Sequence, residues 1–141
     1  MHNEILRPMV AMIAWTLVML VWMLVTRLPA MKAAGIDITT LVGAKAADAD
    51  RALPPRVQWI AHNYNHLLEQ PTLFYAACTV IALSDTGNGA NAVIAWAYVG
   101  LRIAHSLVQA TVNKVGPRLM LFLASTVALA ALTLHAAMAV F

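Results

Sequence analysis

From Pro8 to Thr26 the chain runs for 19 residues without a charged side chain, and from Leu119 to Phe141 it does so again for 23. At about 1.5 Å of rise per residue, a helix of the first length reaches about 28 Å, close to the roughly 30 Å of a bilayer's hydrocarbon core. A chain of 141 residues cannot bury several such segments in a single soluble core. Hydrophobic residues make up 62% of it and charged residues 11%, where soluble domains carry roughly 25% charged. That balance excludes an ordinary cytosolic domain, a disordered tail and a nucleic-acid binder. The first stretch is read as a retained helix rather than a cleaved signal, because a signal core spans only about 7–15 apolar residues.

Two more spans lie between these, each carrying one charge inside. Pro54-Pro55 starts a helix near Arg56 that runs to about Leu83, with a kink expected at Pro71. A turn at Asp85-Thr86-Gly87-Asn88-Gly89 follows, then a third span over 90–112 interrupted only by Arg102. Pro117 is expected at the first position of the fourth. The expected fold is an all-α integral membrane protein, a single domain over 1–141. Its four transmembrane helices lie at about 5–27, 56–83, 90–112 and 117–140, joined by a loop over 28–55 that has room for a short interfacial helix. Lys and Arg set the orientation. Arg27, Lys32, Lys45, Arg51 and Arg56 fall in the first loop and Lys114 and Arg118 in the third, while the opposite side has Arg7 alone. The positive-inside rule then puts loops one and three in the cytoplasm and both termini outside.

A charge within a span costs on the order of 2.5–3.5 kcal/mol on insertion scales and therefore faces the bundle interior with a partner. On the second helix His62, Asn65, His66, Glu69 and Thr72 recur at spacings of three and four, and on the third Arg102, His105, Gln109 and Asn113 do likewise. Their depths match, so a buried Glu69–Arg102 ion pair is expected. The polar residues thin out toward the outer side, which suits a cleft open to the cytoplasm better than interhelical packing alone or a relay spanning the membrane. His62 and His66 at i and i+4, with Glu69, fit a metal site on spacing. Glu69's expected cationic partner weighs against it, and no metal is expected. The one cysteine, Cys78, excludes an internal disulfide.

Three motifs give the chain a resemblance to the MAPEG family, the membrane-associated proteins of eicosanoid and glutathione metabolism. Arg56-Val57, then His62-Asn63-Tyr64-Asn65, then Glu69-Gln70-Pro71-Thr72-Leu73-Phe74 resembles the family's second-helix signature. Arg102-Ile103-Ala104-His105-Ser106 is similar to a third-helix stretch of microsomal glutathione transferase, and Arg118 stands where that relative opens its fourth helix with an arginine. The resemblance implies a homotrimer with glutathione between protomers on the cytoplasmic side. It also implies that Arg56, Asn65, Glu69, Arg102, His105 and Gln109 hold the tripeptide and that Arg118 faces its sulfur as the catalytic residue. The partners implied are glutathione as co-substrate, a hydrophobic electrophile or lipid, membrane lipids and further copies of the chain.

The charges agree with this independently. Glutathione has two carboxylates and one ammonium, which a pocket of two or three arginines and one carboxylate complements. The resemblance implies conjugation or peroxide reduction by an activated thiolate as the expected function. A lipid-binding scaffold of the same family and a small proton-coupled transporter using His62, His66, Glu69 and Arg102 remain as alternatives.

Overall fold

The computed structural model describes residues 3–141, and those residues form five helices and no strand. In chain order they are α1 (Leu6–Ala33), α2 (Ala46–Ala52), α3 (Pro55–Leu83), α4 (Ala90–Ala110) and α5 (Val115–Val140). α1, α4 and α5 are long and apolar enough to cross a membrane. At 29 residues α3 has the length, but its row of His, Asn, Gln and Glu side chains lowers its apolarity below that of a span. Where four apolar spans were expected, composition alone therefore marks three.

α3 and α4 form the centre. α1 packs on both of them, α5 packs on both of them, and α1 does not touch α5. The apolar core follows that arrangement: Met12 and Met19 of α1, Leu67, Phe74, Cys78 and Ile81 of α3, Ala95, Tyr98 and Val99 of α4, and Leu129 and Leu132 of α5. Phe74 and Tyr98 stack across the α3–α4 seam with centroids 4.4 Å apart, which fixes the antiparallel register of the two central helices. Most apolar side chains of α1 and α5 point outward, as helices in lipid require.

Helix ends follow local chemistry, and three differ from the expected boundaries. α1 continues past Arg27 and through Pro29 to Ala33, because a charge ends an apolar run without ending a helix. What stops it is Gly35 at φ +71°, with Ile36 N donating to Met31 O and Gly35 N to Lys32 O, the paired bonds of a Schellman motif. α4 stops at Ala110 rather than 112, and Asn113, at φ +50°, turns the chain toward α5. α5 begins at Val115, so Pro117 is its third residue and not its first, a place where the N–H it lacks has no intrahelical partner anyway. α3 begins at Pro55 and runs unbroken through Pro71.

The expected short helix in the first loop is α2, tied to α3 by Asp50 Oδ1 and His62 Nε2 at 2.8 Å. Before it, Asp37 accepts hydrogen bonds from the N–H and the hydroxyl of Thr39, which hold its carboxyl below the usual range. At the opposite end of the molecule, Ile5 N donates to Gly87 O, Glu4 N to Asn88 Oδ1 and Asn3 Nδ2 to Ala82 O, locking the start of α1 onto the α3–α4 turn.

Candidate functional site

Polar side chains in the interior gather at one end, where α3 starts, α4 stops and α5 starts. Asn63 Nδ2 of α3 donates to Ser106 Oγ of α4 at 2.6 Å, both residues fully buried. That bond places His66, one turn further along α3, against Arg102, one turn back along α4. Arg102 is fully buried. Its Nε donates to Tyr98 Oη at 3.2 Å, its Nη1 lies 3.5 Å from His66 Nε2, and its guanidinium carbon lies 5.8 Å from the Tyr98 ring centre and 5.6 Å from that of Phe122. Two aromatic faces thus take over part of the stabilisation that water would give the cation.

The expected ion pair between Arg102 and Glu69 is not formed. Glu69 follows His66 by three residues, which rotates it about 60° away from α4. Its side chain, 68% exposed on the outer face of α3, instead accepts a hydrogen bond from His66 Nδ1 at 2.9 Å. His66 thereby stands between carboxylate and guanidinium. That bond assigns the Nδ1 proton and leaves Nε2 as the acceptor facing Arg102.

Beside this cluster a cavity of about 230 Å³ opens between α3, α4 and the first turns of α5, lined by His66, His105, Val115, Arg118, Leu119 and Phe122. Arg118 is half-buried, and its Nη1 donates to Asn113 Oδ1 at 2.6 Å. The rings of His66 and His105 are 5.2 Å apart, and Phe122 lies 5.6 Å from the first and 6.3 Å from the second. Several buried polar atoms here have no protein partner: Arg102 Nη2, His105 Nδ1, Gln109 Oε1, Asn63 Oδ1 and both amide atoms of Gln58. Buried polar groups are normally satisfied, so these are the atoms that water or a bound polar ligand would pair. Further along the α3–α5 seam an apolar groove of about 550 Å³ runs over Leu73, Leu129, Ala130 and Leu134, with Gln70 Nε2 donating to Thr126 Oγ1 at its edge.

The site residues read from the sequence fall into two sets. Arg102, His105 and Gln109 are buried on the inner face of α4, and Arg118 lies beside them. Arg56, Asn65 and Glu69 are exposed along the outer face of α3 with His62 and Thr72, so within one chain they do not reach the cavity. His62 is engaged by Asp50 and His66 by Glu69, and among the described residues no group of three or more metal-ligating side chains stands together. Sequence reasoning missed Phe122, Gln58 and the role of Tyr98. Phe122 is four residues after Arg118 and Tyr98 four before Arg102, so the i, i+4 rule applied to each arginine finds both.

An all-helical chain with three helices long and apolar enough to cross a membrane, and with an arginine buried between two aromatic rings, has the character of a helical membrane protein. The family model for the MAPEG family matches residues 5–138, nearly the whole chain, and the protein belongs to that family. No curated protein and no solved structure matches it. The family includes glutathione transferases, peroxidases and eicosanoid synthases.

Proposed function

We propose that this protein is a glutathione-dependent transferase or peroxidase of the membrane, in which Arg118 stabilises the glutathione thiolate for attack on a lipophilic substrate. The observation that carries the reading is the cavity at the foot of α5, where Arg118 stands with His66 and His105 beside the apolar Val115, Leu119 and Phe122. A thiol with a pKa near 8.5 is mostly protonated at pH 7, and each unit of lowering takes about 1.4 kcal/mol of preferential thiolate stabilisation. Arg118, in the first turn of α5, supplies a guanidinium charge together with the positive end of the helix dipole.

The donor set suits the tripeptide. Arg102 Nη2 and His105 Nδ1 are buried donors or acceptors without protein partners. Arg56, Asn65 and Glu69 offer a cation, an amide and an anion along the outer face of α3. In lipid that face is costly to leave uncovered, because ionisable side chains in spans face protein or water. A second copy of the chain, within a homotrimer, covers it and brings the two residue sets into one site. The groove along Leu73, Leu129 and Leu134 gives a hydrophobic electrophile a lateral route from the bilayer toward Phe122.

Isothermal calorimetry of detergent-purified protein with glutathione tests this reading. Saturable binding that weakens at least tenfold in Arg102→Met supports it, and absence of binding to the unaltered protein overturns it.

A further inference from the structure

A thiolate stabilised by Arg118 leaves the thiol's proton to be placed, and His66 is built to take it. Its ring lines the cavity with Arg118. Nδ1–H donates outward to Glu69 Oε2 at 2.9 Å, while Nε2 lies on the inner side with Arg102 Nη1 at 3.5 Å, the outer limit of a hydrogen bond. The connectivity is that of a carboxylate–imidazole pair serving a nucleophile: the carboxylate fixes tautomer and orientation, and the second nitrogen accepts the proton. The charged groups around the ring are Glu69 on its own helix, Arg102 from α4 and Arg118 from α5, with the imidazole of His105 5.2 Å away between ring centres.

We infer that Glu69 and His66 form a proton-accepting dyad in which His66 Nε2 is the general base for a thiol bound beside Arg118, an inference that rests on the glutathione reading above. The S–H bond breaks, its proton passes to Nε2, and the electron pair stays on sulfur. The thiolate then forms a C–S bond with an aryl halide, and the halide ion leaves with the electrons of the C–X bond. The imidazolium, held by Glu69, returns its proton to water. Thiol and aryl halide thus become thioether, halide ion and a released proton.

The test is the pH dependence of kcat for conjugation of glutathione to an aryl chloride, at saturating glutathione, with detergent-purified full-length protein. Without a proton acceptor the bound thiol must ionise unaided, least completely at about pH 6.5 and most completely at about pH 9.5, so the base matters at the lower value and not at the upper. His66→Gln is expected to lose about tenfold or more in kcat at the lower pH and to stay within about twofold of the parent at the upper. Glu69→Gln, read at glutathione concentrations that saturate that variant, is expected to shift the profile in the same direction by less. A His66→Gln profile parallel to the parent's, level with it or lowered equally at every pH, overturns the dyad. Should His66→Gln not fold, an unshifted Glu69→Gln profile overturns it. A parent that conjugates with unshifted variants loses the dyad alone, whereas a parent that neither binds glutathione nor conjugates loses the glutathione reading itself.

Discussion

Arg102 and Glu69 are the two charges that the chain carries deepest into its spans, and side-chain direction decides what they do. Matching depths along two helices pointed to a direct pair, but depth says nothing about the angle around each helix axis, and three residues of α3 turn Glu69 out while His66 turns in. The spacing made Arg102, His105 and Gln109 legible as one inward face. It could not reveal that the outer face of α3 carries Arg56, Asn65 and Glu69, because one chain's periodicity does not say which of two polar faces meets its own bundle. Arg102 touches two aromatic rings, a phenol and an imidazole, and no carboxylate. Arg102→Met removes a buried cation that has no carboxylate partner, so it strands no buried anion and should lower stability in detergent, read from thermal unfolding, by less than the cost of breaking a buried ion pair. A loss of about 3–5 kcal/mol, as when one member of a buried pair is removed, would restore the direct ion pair. Arg118→Ala should leave glutathione affinity nearly intact and raise the pKa of the bound thiol, slowing conjugation at pH 7 by about tenfold per unit. A pH–rate profile for Arg118→Ala that overlays the parent's would make Arg118 a membrane anchor only.

At the level of elements, apolar runs located the helices but not all of their ends. α3 begins where Pro54-Pro55 said it should, and α4 begins after the Gly-rich turn, since both boundaries rest on backbone chemistry that proline and glycine announce. The end of α1 was missed because Arg27 closes the apolar run two turns before Gly35 closes the helix. Contacts between distant segments leave no local signal at all. The α3–α4 turn is an example: its Gly87 lies so close to the start of α1 that a Cβ there would overlap the Asn3 side chain and approach Ile5 Cγ2 to 2.7 Å. Gly87→Ala should therefore push the first residues of α1 off the turn, break the Ile5–Gly87 backbone bond and cost about 1–3 kcal/mol. Thermal unfolding together with amide exchange at residues 3–7 reads both effects, and an unchanged midpoint would mean that the N-terminal segment is not held as described.

For the whole molecule, the polar end of the bundle coincides with the basic loops. α2 and the α4–α5 turn both lie at that end, with seven of the nine Lys and Arg residues in the first and third loops of the sequence. The cavity is therefore expected to open to the cytoplasm. In a Cys78→Ser background, Ala47→Cys in α2 should react with a membrane-impermeant maleimide only after permeabilisation of the cells. Labelling in intact cells would reverse the topology and place the site on the outer side.

The central claim is that the cavity between α3, α4 and α5 holds glutathione as a thiolate, and the most direct measurement is the thiolate absorbance at the ultraviolet edge when glutathione is added to the purified protein at pH 7. A saturable absorbance increase is expected for the parent, collapsing in Arg118→Ala while calorimetric binding persists. Binding of glutathione by the parent with no thiolate band would contradict it.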